Sequence, residues 1–157
     1  MIRLANIDDC KKIIEILNNT TLNLHEKGIK QWAYPWSEDE ILKDINKGYV
    51  YILLYDGEEV ATFSIRDINN YVIEMDSYNK YLYRIAILPK YQGRNLGMEI
   101  IDYSITYAGN LDKSLYLDCW AGNKNLRKFY LNAGFKYLGD FKEEDYMISV
   151  FKYSYGD

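Results

Sequence analysis

Apolar and polar residues alternate with two different periods along the chain, and each change of period marks a boundary between predicted strands and helices. Residues 2–5, 49–55 and 59–66 are short apolar segments of strand length. The dipeptide Asp56-Gly57 separates the last two segments, and it favours the positive φ angles of a tight hairpin turn. We therefore expect residues 49–55 and 59–66 to pair as antiparallel strands.

Four other segments carry apolar residues at helical spacing. Asp8 or Asp9 can cap the first helix, and Ser37 with Glu40 forms an S-x-x-E capping box before the second. Gly134 is placed to end the fourth helix at its C-terminal cap. The apolar positions of the four helices, in chain order, are Cys10, Ile13, Ile14 and Leu17; Ile41, Leu42 and Ile45; Met98, Ile101, Ile105 and Ala108; and Leu126, Phe129, Tyr130 and Ala133.

Further strands are predicted in the second half of the chain. Residues 81–88 have the continuous apolar pattern of a fully buried strand, and residues 114–120 alternate between apolar and polar positions. Residues 135–141 and 145–153 supply two final strands. The order β-α-α-β-β-β-α-β-α-β-β combines an antiparallel start, a parallel crossover and a hairpin end. We predict a single α/β domain over residues 1–157, with a mixed, mostly antiparallel central sheet flanked by helices.

Composition and charge exclude several classes of protein. The chain is 48% hydrophobic and 27% charged, which suits one globular domain. Its net charge of −4 provides no basic field, so we expect no nucleic-acid partner. Charges interrupt the N-terminal segment and no apolar run has membrane-spanning length, so we expect no membrane association and a cytoplasmic location. Cys10 and Cys119 suit reduced core thiols better than a nucleophile paired with His25, and a single histidine predicts no metal site.

A polar loop connects the segment 81–88 to the third helix. A strand that ends in a turn before a helix directs unpaired main-chain N–H groups and the positive end of the helix dipole to one point. The glycines allow close backbone approach and Arg94 adds a charge, so the loop suits an anion such as a pyrophosphate. An ordinary strand-to-helix turn is the alternative. The candidate residues are Gln92, Gly93, Arg94, Asn95, Leu96 and Gly97.

Two motifs, in this order, resemble those of the GCN5-related N-acetyltransferase (GNAT) superfamily. The segment ILP followed by residues 92–97 is similar to the family's phosphate-binding motif, with Asn95 where glycine is usual. Asparagine tolerates a left-handed backbone better than other non-glycine residues, so we expect the loop to keep its shape. Residues 123–135, NKNLRKFYLNAGF, resemble a second family motif, with Leu126 in place of the usual alanine. The order of elements along almost the whole chain is also similar.

The resemblance implies that acetyl-CoA is the donor and that an amine attacks its thioester directly. In this family the donor lies along the strand before the phosphate loop. The main chain of Ile85, Ala86 and Ile87 would therefore contact the pantetheine and the acetyl carbonyl. Residues 92–97 would hold the pyrophosphate, and Asn123 would contact the CoA arm.

The resemblance also implies that Tyr130 lies near the leaving sulfur as the catalytic residue. A thiol with a pKa of about 8.5 is a stronger acid than a phenol at about 10. We therefore expect Tyr130 to stabilise the thiolate by a hydrogen bond rather than to transfer its proton fully. The periodicity alone allows another interpretation, in which Tyr130 completes the apolar stripe of the fourth helix.

Neither the general base nor the acceptor pocket is identified by a motif. Asp118 lies on the face of its predicted strand opposite the core residues, and Glu74 lies in the loop before the predicted donor strand. Both positions are more typical of solvated surface charges than of a general base. Trp32, Tyr34 and Trp36 lie in an aperiodic segment, where aromatic residues either line an acceptor pocket or pack as a lid on the sheet.

The sequence as a whole predicts an N-acetyltransferase that uses acetyl-CoA, no metal, and a primary amine of a small molecule or peptide. A catalytically silent CoA-binding or regulatory module with the same fold is the alternative. An RNA-binding role lacks the basic stripe that it would require. A homodimer is possible through pairing of the two final strands.

Overall fold

The computed structural model describes residues 1–29, 31–68 and 79–154. Within these residues seven strands form one sheet in the order β1-β2-β3-β4-β5-β7-β6. The strands are β1 (Ile2–Leu4), β2 (Val50–Tyr55), β3 (Glu58–Ile68), β4 (Asn79–Ile87), β5 (Leu115–Trp120), β6 (Lys136–Glu143) and β7 (Tyr146–Tyr153). The helices are α1 (Cys10–Glu26), α2 (Glu38–Asn46), α3 (Leu96–Asn110) and α4 (Lys124–Asn132).

The strand pairing confirms the predicted mixed, mostly antiparallel sheet of an α/β fold. Strand β2 pairs antiparallel with β1 and with β3, and β7 pairs antiparallel with β5 and with β6. Strands β4 and β5 pair in parallel, with Lys80 opposite Leu115 and Tyr81 opposite Tyr116. The parallel pair follows from the crossover through α3, because a helix between two strands returns the chain in the same direction.

By its internal contacts the chain divides into two compact units. The first consists of Met1–Ser64 and Arg84–Ile100, and the second of Ile65–Tyr83 and Ile101–Asp157. The core of the first unit is built from apolar side chains of α1, α2, β2 and β4. Its buried members include Ile13, Ile16, Leu17, Ile41, Ile45, Val50, Ile52 and Ala86. The helical spacing of the first five explains why α1 and α2 each bury one face.

The start of the first helix differs from the prediction. A 3₁₀ turn at Ile7–Asp9 precedes α1, and the Asn6 side chain caps this turn by accepting a hydrogen bond from the main chain of Asp8 at 2.9 Å. Asp9 is the N-cap residue of α1 by position, but its side chain makes no capping hydrogen bond to that helix. The Asp9 carboxylate instead accepts two bonds from Arg3 at 2.8 and 2.9 Å and one from the Asn6 amide. The hydrogen bonds from Arg3 hold the pKa of Asp9 below its usual range. Both carboxylate oxygens of Asp9 are thus occupied by Arg3, six residues earlier in the chain.

The capping box predicted for Ser37 and Glu40 is only half formed. The Ser37 hydroxyl accepts a bond from the Glu40 amide at 3.4 Å, as expected for a helix N-cap. The Glu40 carboxylate does not return to Ser37 but pairs with Arg84 on β4. The hairpin prediction is confirmed, because Asp56 and Gly57 have φ angles of 51° and 77°.

The second unit packs aromatic and aliphatic side chains from β5, β7 and α4. Leu115, Leu117 and Cys119 of β5 and Phe151 of β7 are buried in it. Helix α4 ends at the predicted glycine, since Gly134 has a φ of 98°. Both cysteines of the chain are free and buried, which confirms their assignment as core thiols.

Strand β4 is less buried than predicted. Asn79, Leu82 and Ala86 are buried, whereas the positions between them are half-buried. Arg84, in the middle of the strand, has a φ of 52° and interrupts the regular pleat. A continuous apolar run cannot distinguish a strand covered on both faces from one whose tyrosine and isoleucine side chains are partly accessible.

Candidate functional site

The loop between β4 and α3 has the conformation that an anion-binding turn requires. After a short 3₁₀ turn at Pro89–Tyr91, Gly93 and Asn95 adopt left-handed φ angles of 81° and 62°. Asn95 therefore adopts a left-handed backbone conformation, which is the one that glycine favours. This confirms the expectation that asparagine would keep the shape of the loop. The Gln92 side chain donates a hydrogen bond to the Ile87 carbonyl at 3.1 Å and ties the loop to the end of β4.

The main-chain amides of this loop are the second feature of the candidate site. Within the described parts of the chain, no carbonyl accepts a hydrogen bond from the amides of residues 93–97. The first protein bond of the helix comes from Glu99, whose amide donates to the Asn95 carbonyl at 3.1 Å. Consecutive unpaired amides at the positive end of a helix can bind an anion, because each loses no existing hydrogen bond when it does so.

A cavity of about 250 Å³ lies beside the loop, lined by Tyr55, Asp56, Lys90, Tyr91 and Arg94. The Arg94 guanidinium carbon lies 5.5 Å from the ring centre of Tyr55 and 5.3 Å from that of Tyr91. These distances suit cation–π contacts that hold the arginine at the cavity. The two cations exceed the single carboxylate, so the lining carries net positive charge next to the free amides.

The predicted donor strand residues belong to the same unit as the loop. Ala86 is buried, and Ile85 and Ile87 are half-buried. The Thr20 hydroxyl donates to the Ile87 carbonyl at 3.3 Å, so that Thr20 and Gln92 both anchor this carbonyl. The first unit thus brings together Ile85–Ile87 and residues 92–97, which were predicted to contact successive parts of one donor.

Arg84 is a residue whose importance the sequence did not reveal. Its side chain is 16% exposed and forms ion pairs with Asp44, at 2.6 Å, and with Glu40. The guanidinium also lies 5.3 Å from the ring of Trp36. Because Arg84 directly precedes Ile85, these contacts fix the predicted donor strand to α2. The one available signal was a charged residue inside an apolar segment.

The aromatic residues before α2 were predicted either to pack on the sheet or to line an acceptor pocket, and they do not all have the same environment. The Trp36 indole donates to the Thr21 hydroxyl at 2.9 Å, and the rings of Trp32 and Trp36 meet edge to face at 5.5 Å. Both tryptophans pack against the core of the first unit, as the packing interpretation predicts. Tyr34 is 48% exposed and is left as the aromatic residue of this segment that a ligand could reach.

Tyr130, in the second unit, has a buried ring, and no described residue forms a hydrogen bond with its hydroxyl. The side chain is only 3% exposed, and its ring centre lies 5.5 to 6.0 Å from those of Phe129, Phe135 and Phe151. Its hydroxyl has no hydrogen-bond partner among the described residues. Burial, with smaller contributions from Cys119 and Asp118, raises the pKa of Tyr130 above that of an ordinary phenol. Such a group remains protonated and can donate a hydrogen bond.

Asn123 starts helix α4, and its carboxamide oxygen accepts a hydrogen bond from the Leu126 amide at 3.1 Å. This cap uses the oxygen and leaves the side-chain NH₂ group to donate elsewhere. The side-chain NH₂ group is therefore available to donate a hydrogen bond to the CoA arm, as the predicted role would require. The second unit brings Asn123 and Tyr130 onto one helix, two turns apart.

Asp118 is not the solvated surface charge that the alternation favoured. It is half-buried on β5 and accepts a hydrogen bond from the Tyr81 hydroxyl at 2.6 Å. Burial raises the pKa of this carboxyl, partly opposed by the Tyr81 hydrogen bond. The other candidate base, Glu74, lies outside the described residues. Burial also raises the pKa of Cys119 to about 12, so this cysteine is a thiol rather than a nucleophilic thiolate.

Residues 1–29, 31–68 and 79–154 contain no group of three or more histidine, cysteine or acidic side chains placed to hold a metal ion. Over the same ranges no helix has both the length and the apolar character needed to cross a membrane.

The chain is similar to several known acetyltransferases in sequence and in structure. The family model described as the acetyltransferase (GNAT) family matches residues 11–135. YesJ of Bacillus subtilis (strain 168), an uncharacterised N-acetyltransferase, is 25% identical over 145 residues, covering 86% of this chain and 81% of the relative. A GNAT acetyltransferase structure from Streptococcus agalactiae has a TM-score of 0.87 at 20% identity. The match covers 100% of this chain and 96% of the Streptococcus agalactiae chain. The PaiA N-acetyltransferase from Thermoplasma acidophilum, solved with coenzyme A, has a TM-score of 0.74 at 17% identity and 98% coverage of both chains.

Proposed function

Because the chain belongs to the acetyltransferase (GNAT) family, we propose that it transfers an acetyl group from acetyl-CoA to a primary amine by direct attack. The observation that carries this proposal is the loop of residues 92–97, with its free amides, its two left-handed residues and the adjacent basic cavity. The coenzyme A bound by the Thermoplasma acidophilum neighbour supports the choice of donor.

In this proposal the predicted site residues have distinct roles. The amides of residues 92–97 bind the pyrophosphate, and the main chain of Ile85–Ile87 contacts the pantetheine and the acetyl carbonyl. A main-chain N–H stabilises the oxyanion as the amine attacks. The Asn123 side chain contacts the CoA arm, and the Tyr130 hydroxyl donates a hydrogen bond to the departing thiolate. The raised pKa of Tyr130 favours this donation over complete proton transfer.

The acceptor is a primary amine of a small molecule or a peptide. The net charge of −4 is compatible with a cationic acceptor in the cytoplasm and unsuited to nucleic acid. The family match runs through both compact units, which supports one acetyltransferase domain over residues 1–157. Strand β6 ends the strand order of the sheet, and this position would allow a second copy to pair there in a homodimer.

Thermal unfolding in the presence of acetyl-CoA, CoA or ATP tests the donor assignment. A ligand at about 100 times its dissociation constant stabilises the folded state by roughly 2.7 kcal/mol, which raises Tm by about 5–10 °C for a domain of this size. We expect this shift with acetyl-CoA and CoA and not with ATP. An amine panel with a free-thiol readout then follows. Binding without turnover would favour a silent CoA-binding module, and no shift would contradict the proposal.

Replacing Arg94 with alanine tests the phosphate loop. We expect CoA to bind roughly tenfold to a hundredfold more weakly, because one charged hydrogen-bond donor to phosphate is lost. Binding of pantetheine, which lacks the phosphates, should hardly change. Calorimetry with both ligands measures the difference. Lys47→Ala is the matched control, since Lys47 also lies over a tyrosine ring, that of Tyr49, but outside the loop. Equal losses for CoA and pantetheine would exclude a phosphate contact by Arg94.

A further inference from the structure

Asp118 has an uncommon setting for a carboxylate in a strand. Leu117 and Cys119, its neighbours on β5, are buried, and Asp118 itself is half-buried. One carboxylate oxygen, Oδ2, accepts a hydrogen bond from the Tyr81 hydroxyl at 2.6 Å. The other oxygen has no hydrogen-bond partner within the described residues. A partly desolvated carboxylate with one unused oxygen can bind a donor from a ligand without losing a protein hydrogen bond.

The cation that acts on Asp118 is Arg66, whose charge lowers the pKa of this carboxyl. Its guanidinium carbon lies 5.3 Å from the ring centre of Tyr81 and 4.8 Å from that of Tyr83. The two rings stack at 5.3 Å and are almost parallel. Among the residues that the structure describes, no lysine or arginine forms an ion pair with Asp118. An ammonium group from outside the protein could therefore form the close ion pair that these residues do not provide.

The charged and titratable groups around Asp118 come from every neighbouring element. They are Tyr81 on β4, Arg66 on β3, Glu143 on β6, Tyr146 on β7, Cys119 on β5 and Tyr130 on α4. The charge of Asp118 contributes to the raised pKa of Tyr130, so the two groups lie within electrostatic reach of each other. A proton acceptor for the incoming amine and a hydrogen-bond donor for the leaving thiolate therefore belong to the same unit and interact electrostatically.

We propose that Asp118 binds the ammonium group of the acceptor and takes its proton, and that Tyr81 positions the carboxylate for this step. The assignment rests on the proposed acetyl transfer. Asp118 receives one proton from R–NH₃⁺, and the neutral amine forms a C–N bond with the acetyl carbonyl carbon. The C–S bond then breaks and CoA leaves as the thiolate. The nitrogen loses a second proton, through solvent, to the thiolate, and Asp118 returns its own proton to solvent.

The step predicts a pH dependence with a defined sign. Asp118 accepts a proton only when it is ionised, so kcat/KM falls as the pH falls through the pKa of this carboxyl. Burial raises that pKa, and the Tyr81 hydrogen bond lowers it. Removing the hydroxyl in Tyr81→Phe therefore raises the pKa of Asp118 and moves the acid limb of the rate profile to higher pH. A purely structural role for the pair would not move this limb.

The test measures thiol release over a range of pH for the wild type and four variants, Asp118→Asn, Asp118→Glu, Tyr81→Phe and Asp112→Asn. The amines are ethylamine, Nα-acetyl-lysine amide and a tetrapeptide with a free N-terminus. We expect kcat/KM of Asp118→Asn to be lower by about a hundredfold or more. The pH dependence of its remaining rate should follow the fraction of the amine that is unprotonated in solution. Asp118→Glu should restore part of the rate and an acid limb. Asp112→Asn is the control, because Asp112 is exposed in a left-handed turn that asparagine also adopts.

The outcomes separate this inference from the proposed function. Thermal shifts with CoA check that each variant folds and keeps the donor site. If the wild type neither binds CoA nor acetylates any of the amines, the acetyltransferase proposal fails, and the role of Asp118 fails with it. Wild-type turnover together with an unchanged Asp118→Asn rate would overturn the Asp118 assignment alone. The assignment would also be overturned if Asp118→Asn lowered the rate equally at every pH and Asp118→Glu did not restore any of it.

Discussion

Replacing Tyr130 with phenylalanine should lower kcat about tenfold to a hundredfold and leave the Kd of acetyl-CoA unchanged. The substitution keeps the buried ring and its packing against Phe129, Phe135 and Phe151, so the fold should be preserved. It removes a hydroxyl that has no protein partner within the described chain and that would stabilise the thiolate only as the C–S bond breaks. An interaction made only in the transition state affects kcat rather than ground-state binding.

Steady-state kinetics and calorimetry with acetyl-CoA measure the two quantities. Tyr137→Phe is a matched control, because the Tyr137 hydroxyl donates to Asp140 at 2.7 Å on a more exposed surface of the same unit. This control should leave kcat within about twofold of the wild type. Equal turnover in the wild type and Tyr130→Phe would mean that Tyr130 serves only the aromatic packing of α4.

Replacing Arg84 with alanine should destabilise the protein by about 2–4 kcal/mol, because a half-buried carboxylate loses its guanidinium partner. The side chains of Arg84 and Asp44 are each 16% exposed, so solvent screens this pair less than a surface pair. The variant also loses the packing of the guanidinium on Trp36. For a domain of this length the change corresponds to a Tm lower by roughly 5–15 °C.

Calorimetric or spectroscopic unfolding measures the effect, and Lys80→Ala provides the comparison. Lys80 pairs with Asp67 at 2.6 Å, but the Asp67 side chain is 59% exposed. Solvent can replace the lost partner there, so we expect a smaller change of about 1 kcal/mol or less. If both variants had the same Tm, the ion pairs of Arg84 would not be what holds β4 to α2.

Local sequence patterns were sufficient to predict the helices, the strands and the shape of the loop of residues 92–97. Residues at i, i+3 and i+4 meet on one helix face and Asp-Gly supports positive φ angles, so α1, α2 and the β2–β3 hairpin follow from neighbours in sequence. The left-handed conformation of Asn95 was predictable on the same grounds. The capping box expected at Ser37 failed at Glu40, because this carboxylate pairs with Arg84, which lies 44 residues away in the chain, and a charged hydrogen bond is stronger than a neutral cap.

The order of strands and helices, the family motifs and the shape of the loop of residues 92–97 could be read from the amino-acid sequence. Which charges are partly buried, and what they contact, depends on the three-dimensional packing. Tyr81 and Asp118 are 37 residues apart in the chain, and Arg84 and Asp44 are 40 apart. No local period relates such residues, because pairing across a sheet, or between a strand and a helix, depends on how distant segments pack. The desolvation of Asp118, and with it the candidate base, arises from that packing.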